Sequence, residues 1–425
     1  METGRSDEKN RISEMTESQN KKNIVWNAVG ISLNAFYPLL LMILVTRANG
    51  LEVMGGFSFA FYVASIFFTV GIYGGKIYQI SDVKHEFTNS NYISHKFISS
   101  LVMLLIAFAF CLINGYSFHR ILLIFIFLIY RAIESVCESY LGVMERNYRL
   151  DLTGISRALK VIIGMAGFTI INLFTLNVYL ASTAFIFSFA IVLLFYDIPM
   201  TKRFEKVEIQ FGKYIFDLFK RCFSVFIFTF FTLLILNITR YFVDIYLNDE
   251  MLGIYNIIVM PTAIMPLFIQ FIFQPFMMEL TLTLNHKEYD RFNKRVKRLF
   301  CLLFIMGIGA VILGLLIGIP VLSFIYGVEL AGFRWSLALM IFAGFAGGGS
   351  VAISMLLTLM RQLNIQIILF ALTFAFGVVV SIVFIRILGI YGSFIGFALT
   401  SVFQVILFVI GYRYMYKKHR IQSKI

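Results

Sequence analysis

The sequence predicts an all-α polytopic membrane protein, with about 12 transmembrane helices in two parallel six-helix bundles around a central cavity. Three observations carry this. Of the 425 residues, 60% are hydrophobic and 14% charged, whereas soluble domains hold roughly 45–50% and about 25%. Apolar runs of about 20 residues, enough to cross the hydrocarbon core as a helix, recur along the chain, and the alternating ten-residue segments of an outer-membrane barrel do not. The second half also echoes the first.

The expected spans lie near 24–46, 54–80, 96–115, 119–143, 153–174 and 177–198, then 216–240, 251–281, 299–321, 333–358, 362–387 and 389–412. They define an N-terminal bundle, 24–198, and a C-terminal bundle, 216–412. Residues 1–23 are polar, mixed in charge and without the apolar stretch of a signal peptide, and are expected to form a disordered cytoplasmic tail. Residues 199–215 are expected to be a cytoplasmic linker with an interfacial helix, since "GKYIFDLFKRCFSV" sets charges opposite aromatics. Residues 413–425 form a basic tail.

Lysine and arginine set the orientation. The N-terminal tail, Lys84, Lys96, Arg146, Arg149, the central loop, the loop "NHKEYDRFNKRVKRL", Arg361 and the C-terminal tail place most cations on one face. That face is expected to be cytoplasmic, with both termini on it. The net charge of +13 follows from topology and attraction to anionic lipid, so no nucleic-acid partner is expected. The four cysteines stand singly, without metal spacing.

Internal repetition supports duplicated bundles. "GLEVMGGFSF" and "NDEMLGIYNI" set Gly55 against Gly253, and "LNVYLASTAFIFSFAIVLLF" and "LGIYGSFIGFALTSVFQVILF" set Leu176 against Leu388, as Arg149 against Arg361.

The fourth and fifth spans carry the candidate site. Arg131 lies about 18 Å into its span at 1.5 Å per residue, and Glu134 and Glu138 share its helix face. Folding the hairpin about 147 and 148 brings Glu138 level with Arg157, and Glu134 level with Lys160. Each such charge costs at least about 2.5–3.5 kcal/mol at a helix centre, so lipid is an unfavourable surrounding for them. The simpler reading is a pair of helix staples. Against it, the repeat puts Ala343, Ala346, Ser350, Leu369 and Leu372 at the matching positions, so packing there proceeds without charge. The preferred reading is a wet cavity for an anionic substrate, with Glu134 or Glu138 in an ion-coupling step.

Lys76, near the cytoplasmic end of its span, is expected to snorkel, with a cavity role as the lesser reading. Arg47 and Arg240 follow Thr at the outer ends of the first span of each half ("VTRANG", "ITRYFVD") and suit interfacial anchors or an outer gate. Pro261, Pro266 and Pro275 predict a kinked eighth helix. No P-loop, HExxH or GxSxG stands in the chain, and no loop is long enough for a catalytic domain, so a transporter is expected and not an enzyme.

"KKNIVWNAVGISLNAFYPLLLMILVTRANG", "GIYGGKIYQISD", "YLGVMERNYRLDLTGISRALK" and "LGIYGSFIGFALTS" resemble bacterial polysaccharide flippases of the O-antigen and capsule type, in the multidrug, oligosaccharidyl-lipid and polysaccharide exporter superfamily. The resemblance spans residues 20–415. It implies transfer of undecaprenyl-pyrophosphate-linked oligosaccharide repeat units from the inner to the outer leaflet of the cytoplasmic membrane by alternating access. It further implies no bound cofactor, a coupling ion (H+ or Na+), and membrane lipids, a polysaccharide polymerase and export machinery as partners. Arg131, Arg157 and Lys160 would supply the cationic cavity, joined by Lys76, Arg47 and Arg240. The alternative is a multidrug or cation antiporter of the same superfamily, which would use the carboxylates.

Overall fold

The computed structural model describes residues 17–82, 86–273, 276–360 and 362–422. Residues 1–16 and 423–425 of the expected tails, Lys84, Pro275 and Arg361 lie outside the described residues. Every described element is helical. In chain order they are α1 (Glu17–Asn49), α2 (Leu51–Ile72), α3 (Gly75–Ser81), α4 (Asn89–Ile113), α5 (Phe118–Arg146), α6 (Leu150–Thr175) and α7 (Val178–Thr201). Then come α8 (Tyr214–Tyr246), α9 (Asp249–Phe273), α10 (Met277–Asn285), α11 (Tyr289–Tyr326), α12 (Arg334–Leu359) and α13 (Leu363–Gln422). Most expected spans fall on one of these helices or on one arm of α13, but 54–80 is divided between α2 and α3, and 251–281 runs from α9 into α10.

Among the described residues, nine helices are long and apolar enough to cross a membrane. One of them, α13, is 60 residues long, about 90 Å at 1.5 Å per residue and too long for one crossing. It breaks at Gly389 (φ 57°, ψ −132°), backbone that only glycine adopts readily. Its arms fold back on each other, with Phe376 stacked on Phe403 at 4.0 Å and Phe370 edge-on to Phe408 at 4.8 Å. The helix of the fourth expected span, α5, is outside the nine because Arg120, Arg131, Glu134 and Glu138 interrupt its apolar run.

The chain divides into two compact units. The first comprises Met1–Leu44 and Val63–Phe223, the second Val45–Tyr62 and Ser224–Ile425. The tip of the first hairpin, α1 to α2, thus groups with the second half of the chain. A Cβ on Gly55 would lie 1.8 Å from the Asp249 carbonyl oxygen, and one on Gly253 would lie 2.7 Å from that of Leu51. The two glycines matched by the internal repeat therefore mark one close crossing. Elsewhere in this unit α9 is helical through Pro261 and Pro266.

In the first unit α1 crosses α6 equally closely. A Cβ on Gly154 would sit 2.0 Å from the Trp26 carbonyl oxygen, and one on Gly30 2.4 Å from that of Gly154. Upstream, the Asn23 side chain donates to the Tyr148 carbonyl at 2.9 Å and accepts from the Asp151 N–H at 3.0 Å, capping α6. Residues 17–23, expected in the tail, are thus helical and anchored, and the C-terminal helix likewise runs past 413 to Gln422.

The stretch read as an interfacial helix also differs. Residues 202–213 are not helical, and Tyr214 opens a continuous 33-residue helix. Leu218 is buried against Phe87 and Tyr92, while Phe219 packs on Tyr73 and His95 at 4.8 and 4.4 Å. Aromatic residues that could lie on a membrane surface are used instead to dock the start of α8 onto the first unit.

Candidate functional site

The site in the first unit begins with a backbone break. Tyr73 and Gly74 take positive φ (41° and 65°), ending α2 and redirecting the chain into α3. The open carbonyls of α2 are capped from α4, by Lys96 on Ile72 and by the Ser99 hydroxyl on Gly71 at 2.6 Å. The short helix α3 then docks on α5. Gln79 donates to the Ser139 carbonyl and to Asn89 (3.1 and 3.0 Å), in space left by Gly142, whose Cβ would come within 2.4 Å of it. One turn earlier, Lys76 reaches Glu138 at 2.6 Å and Glu145 at 2.8 Å.

Arg157 of α6 approaches the same two carboxylates, at 3.6 Å from Glu138 and 3.3 Å from Glu145. Two cations and two carboxylates thus alternate around a ring that ties α3, α5 and α6 together. The ring borders a small, narrow cleft lined by Asn34, Glu134, Glu138, Arg157, Lys160 and Phe189, among others. Asn34 comes from α1, one turn beyond the Gly30 crossing.

Deeper groups are paired more tightly. Lys160 donates to Asp197 at 2.5 Å, and both side chains are essentially inaccessible (3% and 0% exposed). Asp197 ends a π-helical turn, Leu193–Asp197, whose extra residue per turn shifts the helix face, as such bulges do. It also accepts from the Ser156 hydroxyl at 2.6 Å. Arg131 pairs with Glu134 at 2.6 Å, donates to the Ser65 hydroxyl at 3.0 Å, and lies over Tyr130 and Phe68 at 4.8 and 5.0 Å. Tyr130 and Tyr37 share a 2.6 Å hydrogen bond beside it.

The second unit holds Arg47 and Arg240. Arg47 is exposed and donates to the Phe324 and Ile325 carbonyls, closing the C-terminal end of α11. Arg240 is 8% exposed. It donates to Asn256 at 2.7 Å, to Asn237 at 2.9 Å and to the Leu236 carbonyl at 3.1 Å, and lies 4.0 Å over the Tyr62 ring. Asn256 is fixed in turn by the Ser58 hydroxyl at 2.6 Å. The groups holding Arg240 are neutral, unlike those in the first unit.

The structure brings Lys76, Arg131, Glu134, Glu138, Arg157 and Lys160 into one unit, with contacts other than those expected for three of them, Lys76, Glu134 and Lys160. Lys76 does not snorkel, because the break at Tyr73 and Gly74 turns it onto α5. Lys160 pairs with Asp197 and not with Glu134, since Arg131, three residues before Glu134, reaches it within one helix. Sequence reasoning missed Asp197, Glu145, Ser156 and Asn34. Asp197 had a signal, a lone acid between an apolar run and a proline in "LLFYDIPM"; Glu145 was hidden in a charged turn, and Ser156 and Asn34 carried none.

Comparison with known proteins follows the same lines. The chain is 25% identical over 317 residues to the capsular polysaccharide biosynthesis protein CapF of Staphylococcus aureus, covering 72% of this chain and 78% of that protein. Its fold matches the inward-facing conformation of a multidrug resistance MATE family transporter of the MOP superfamily (TM-score 0.68, 12% identity, 95% of this chain and 99% of the other). It also matches the Vibrio cholerae MATE transporter VcmN in the bent form (TM-score 0.58, 14% identity, 95% and 98%). A family model described as polysaccharide biosynthesis protein matches residues 21–281, more than half of the chain. This multi-pass membrane protein, with the fold of the MATE transporters, belongs to the polysaccharide biosynthesis protein family.

Proposed function

We propose that this protein is a flippase. It moves undecaprenyl-pyrophosphate-linked oligosaccharide repeat units from the inner to the outer leaflet of the bacterial cytoplasmic membrane, by ion-coupled alternating access, for cell-surface polysaccharide synthesis. Both termini lie in the cytoplasm. The observation that carries the reading is the buried constellation of the first unit, where Lys76, Arg131, Arg157 and Lys160 meet four carboxylates around a cleft. Ionised groups held inside membrane helices are expensive and mark transport pathways. Guanidinium and ammonium groups suit a pyrophosphate; within the second unit, Arg240 is a further buried cation, held by neutral groups. Arg47 contributes positive charge at the surface of that unit. Glu134 and Glu138 are the ion-coupling residues, for H+ or Na+. The glycan, membrane lipids and the polymerase and export machinery are the partners.

A second reading, a multidrug or cation antiporter, is favoured by the MATE fold and by the carboxylates lining the cleft. Deleting the gene in its host separates the two. Oligosaccharide-pyrophosphate-lipid is expected to accumulate on the cytoplasmic leaflet and to clear when the gene is restored. Unchanged lipid intermediates with new drug sensitivity would refute the flippase and favour the antiporter.

A further inference from the structure

The ionic groups around the cleft balance. Arg131 is matched by Glu134, Lys160 by Asp197, and Lys76 with Arg157 by Glu138 with Glu145. A diphosphate diester carries a charge of about −2, and a balanced site offers it no net attraction. Placing it beside two ionised carboxylates at low dielectric would instead be repulsive. The pairs also differ in reach. Lys160 and Asp197 are sealed, at 3% and 0% exposed, whereas Lys76 and Arg157 keep 15% and 16% of their side-chain surface open. Those two cations each touch both carboxylates, so together they hold two negative charges, as a diphosphate would present.

We propose that Glu138 and Glu145 are a resident surrogate for the diphosphate. The ligand takes Lys76 and Arg157 from them, and each carboxylate gives way by accepting a proton from water, so that one diphosphate and two protons bind together. Protonation of both carboxylates leaves the ring at +2, equal and opposite to the ligand. The other charges facing Glu138 do not replace this exchange. Glu134 on α5 and Arg131 are paired, Lys160 on α6 belongs to Asp197 at the end of α7, and Lys96 on α4 is engaged by the Ile72 carbonyl. The sign is opposite to that of a cation antiporter, in which proton and cargo compete for one carboxylate. The inference rests on the flippase reading and concerns how its site accepts the ligand.

The test is calorimetry on the full-length protein in nanodiscs, with the farnesyl diphosphate ester of glucose as probe, in two buffers of different ionisation enthalpy. Proton uptake approaching two per probe is expected. Affinity should rise as pH falls, by up to about a hundredfold per pH unit where both carboxylates begin ionised. The double variant Glu138→Gln with Glu145→Gln should bind the probe tightly at pH 8 without proton uptake. Wild-type binding with pH-independent affinity and no proton uptake would overturn the linkage and leave the flippase reading standing. No binding by the intact wild-type protein anywhere between pH 5 and 8 would overturn the flippase reading with it.

Discussion

The Lys160–Asp197 pair allows a perturbation to be worked through from geometry. Asp197→Asn keeps the shape of the side chain and removes its charge, leaving an ammonium 3% exposed and without its carboxylate. At 2.5 Å the attraction between unit charges is about 7 kcal/mol at an effective dielectric of 20. Desolvation of both ions offsets much of this, but it is not recovered when one partner alone is removed. Breaking a buried pair from one side therefore costs about 3–5 kcal/mol. The weakened Ser156 contact, 2.6 Å in the native protein, adds about 1 kcal/mol. The assay is reversible unfolding by SDS titration in bicelles, with Lys160→Met alone and the double variant completing a thermodynamic cycle. Asp197→Asn should lose at least 3 kcal/mol, and the double variant should regain most of it because neither charge is then left uncompensated. A single variant within 1 kcal/mol of wild type, or a double variant no better than the single, would refute the reasoning.

Arg157→Gln should abolish polysaccharide export while membrane levels of the protein stay normal, measured by surface polymer assay and immunoblot; full export would remove Arg157 from the site. Gly154→Ala should destabilise the first unit by about 1–3 kcal/mol through overpacking, since its Cβ would meet the Trp26 carbonyl at 2.0 Å, and a thermal melt in detergent checks this. Asp82, the residue that follows α3, is buried. Burial raises its carboxyl, but the N–H groups of Glu86 and Phe87, the Tyr92 hydroxyl and Arg146 together hold it below its usual value. Its contribution is therefore present above the unfolded value of about 3.9 and lost as pH falls through the lower folded value. Asp82→Asn should cost about 1.5–3 kcal/mol at pH 7, and the gap from wild type should close below about pH 4.

The all-helical membrane class and the order of its long apolar helices were legible in the sequence because hydrocarbon thickness is a local constraint, met or failed by each stretch of about 20 residues on its own. The same held for the residues that would be costly in lipid. Arg131, Glu134 and Glu138 share a helix face by spacing alone, and the second half of the chain carries no matching charges. Partner choice was not legible. Lys76 reaches Glu138 and Glu145 because two residues with positive φ end α2 and turn α3 onto α5. Asp197 reaches Lys160 at the end of a π-turn. The opening of α8, amphipathic enough for a membrane surface, buries Leu218 in the first unit instead. Helical periodicity specifies which face a side chain takes along one segment. An ion pair requires two segments to agree to within an ångström or so in height and rotation, and only the packed tertiary structure sets both.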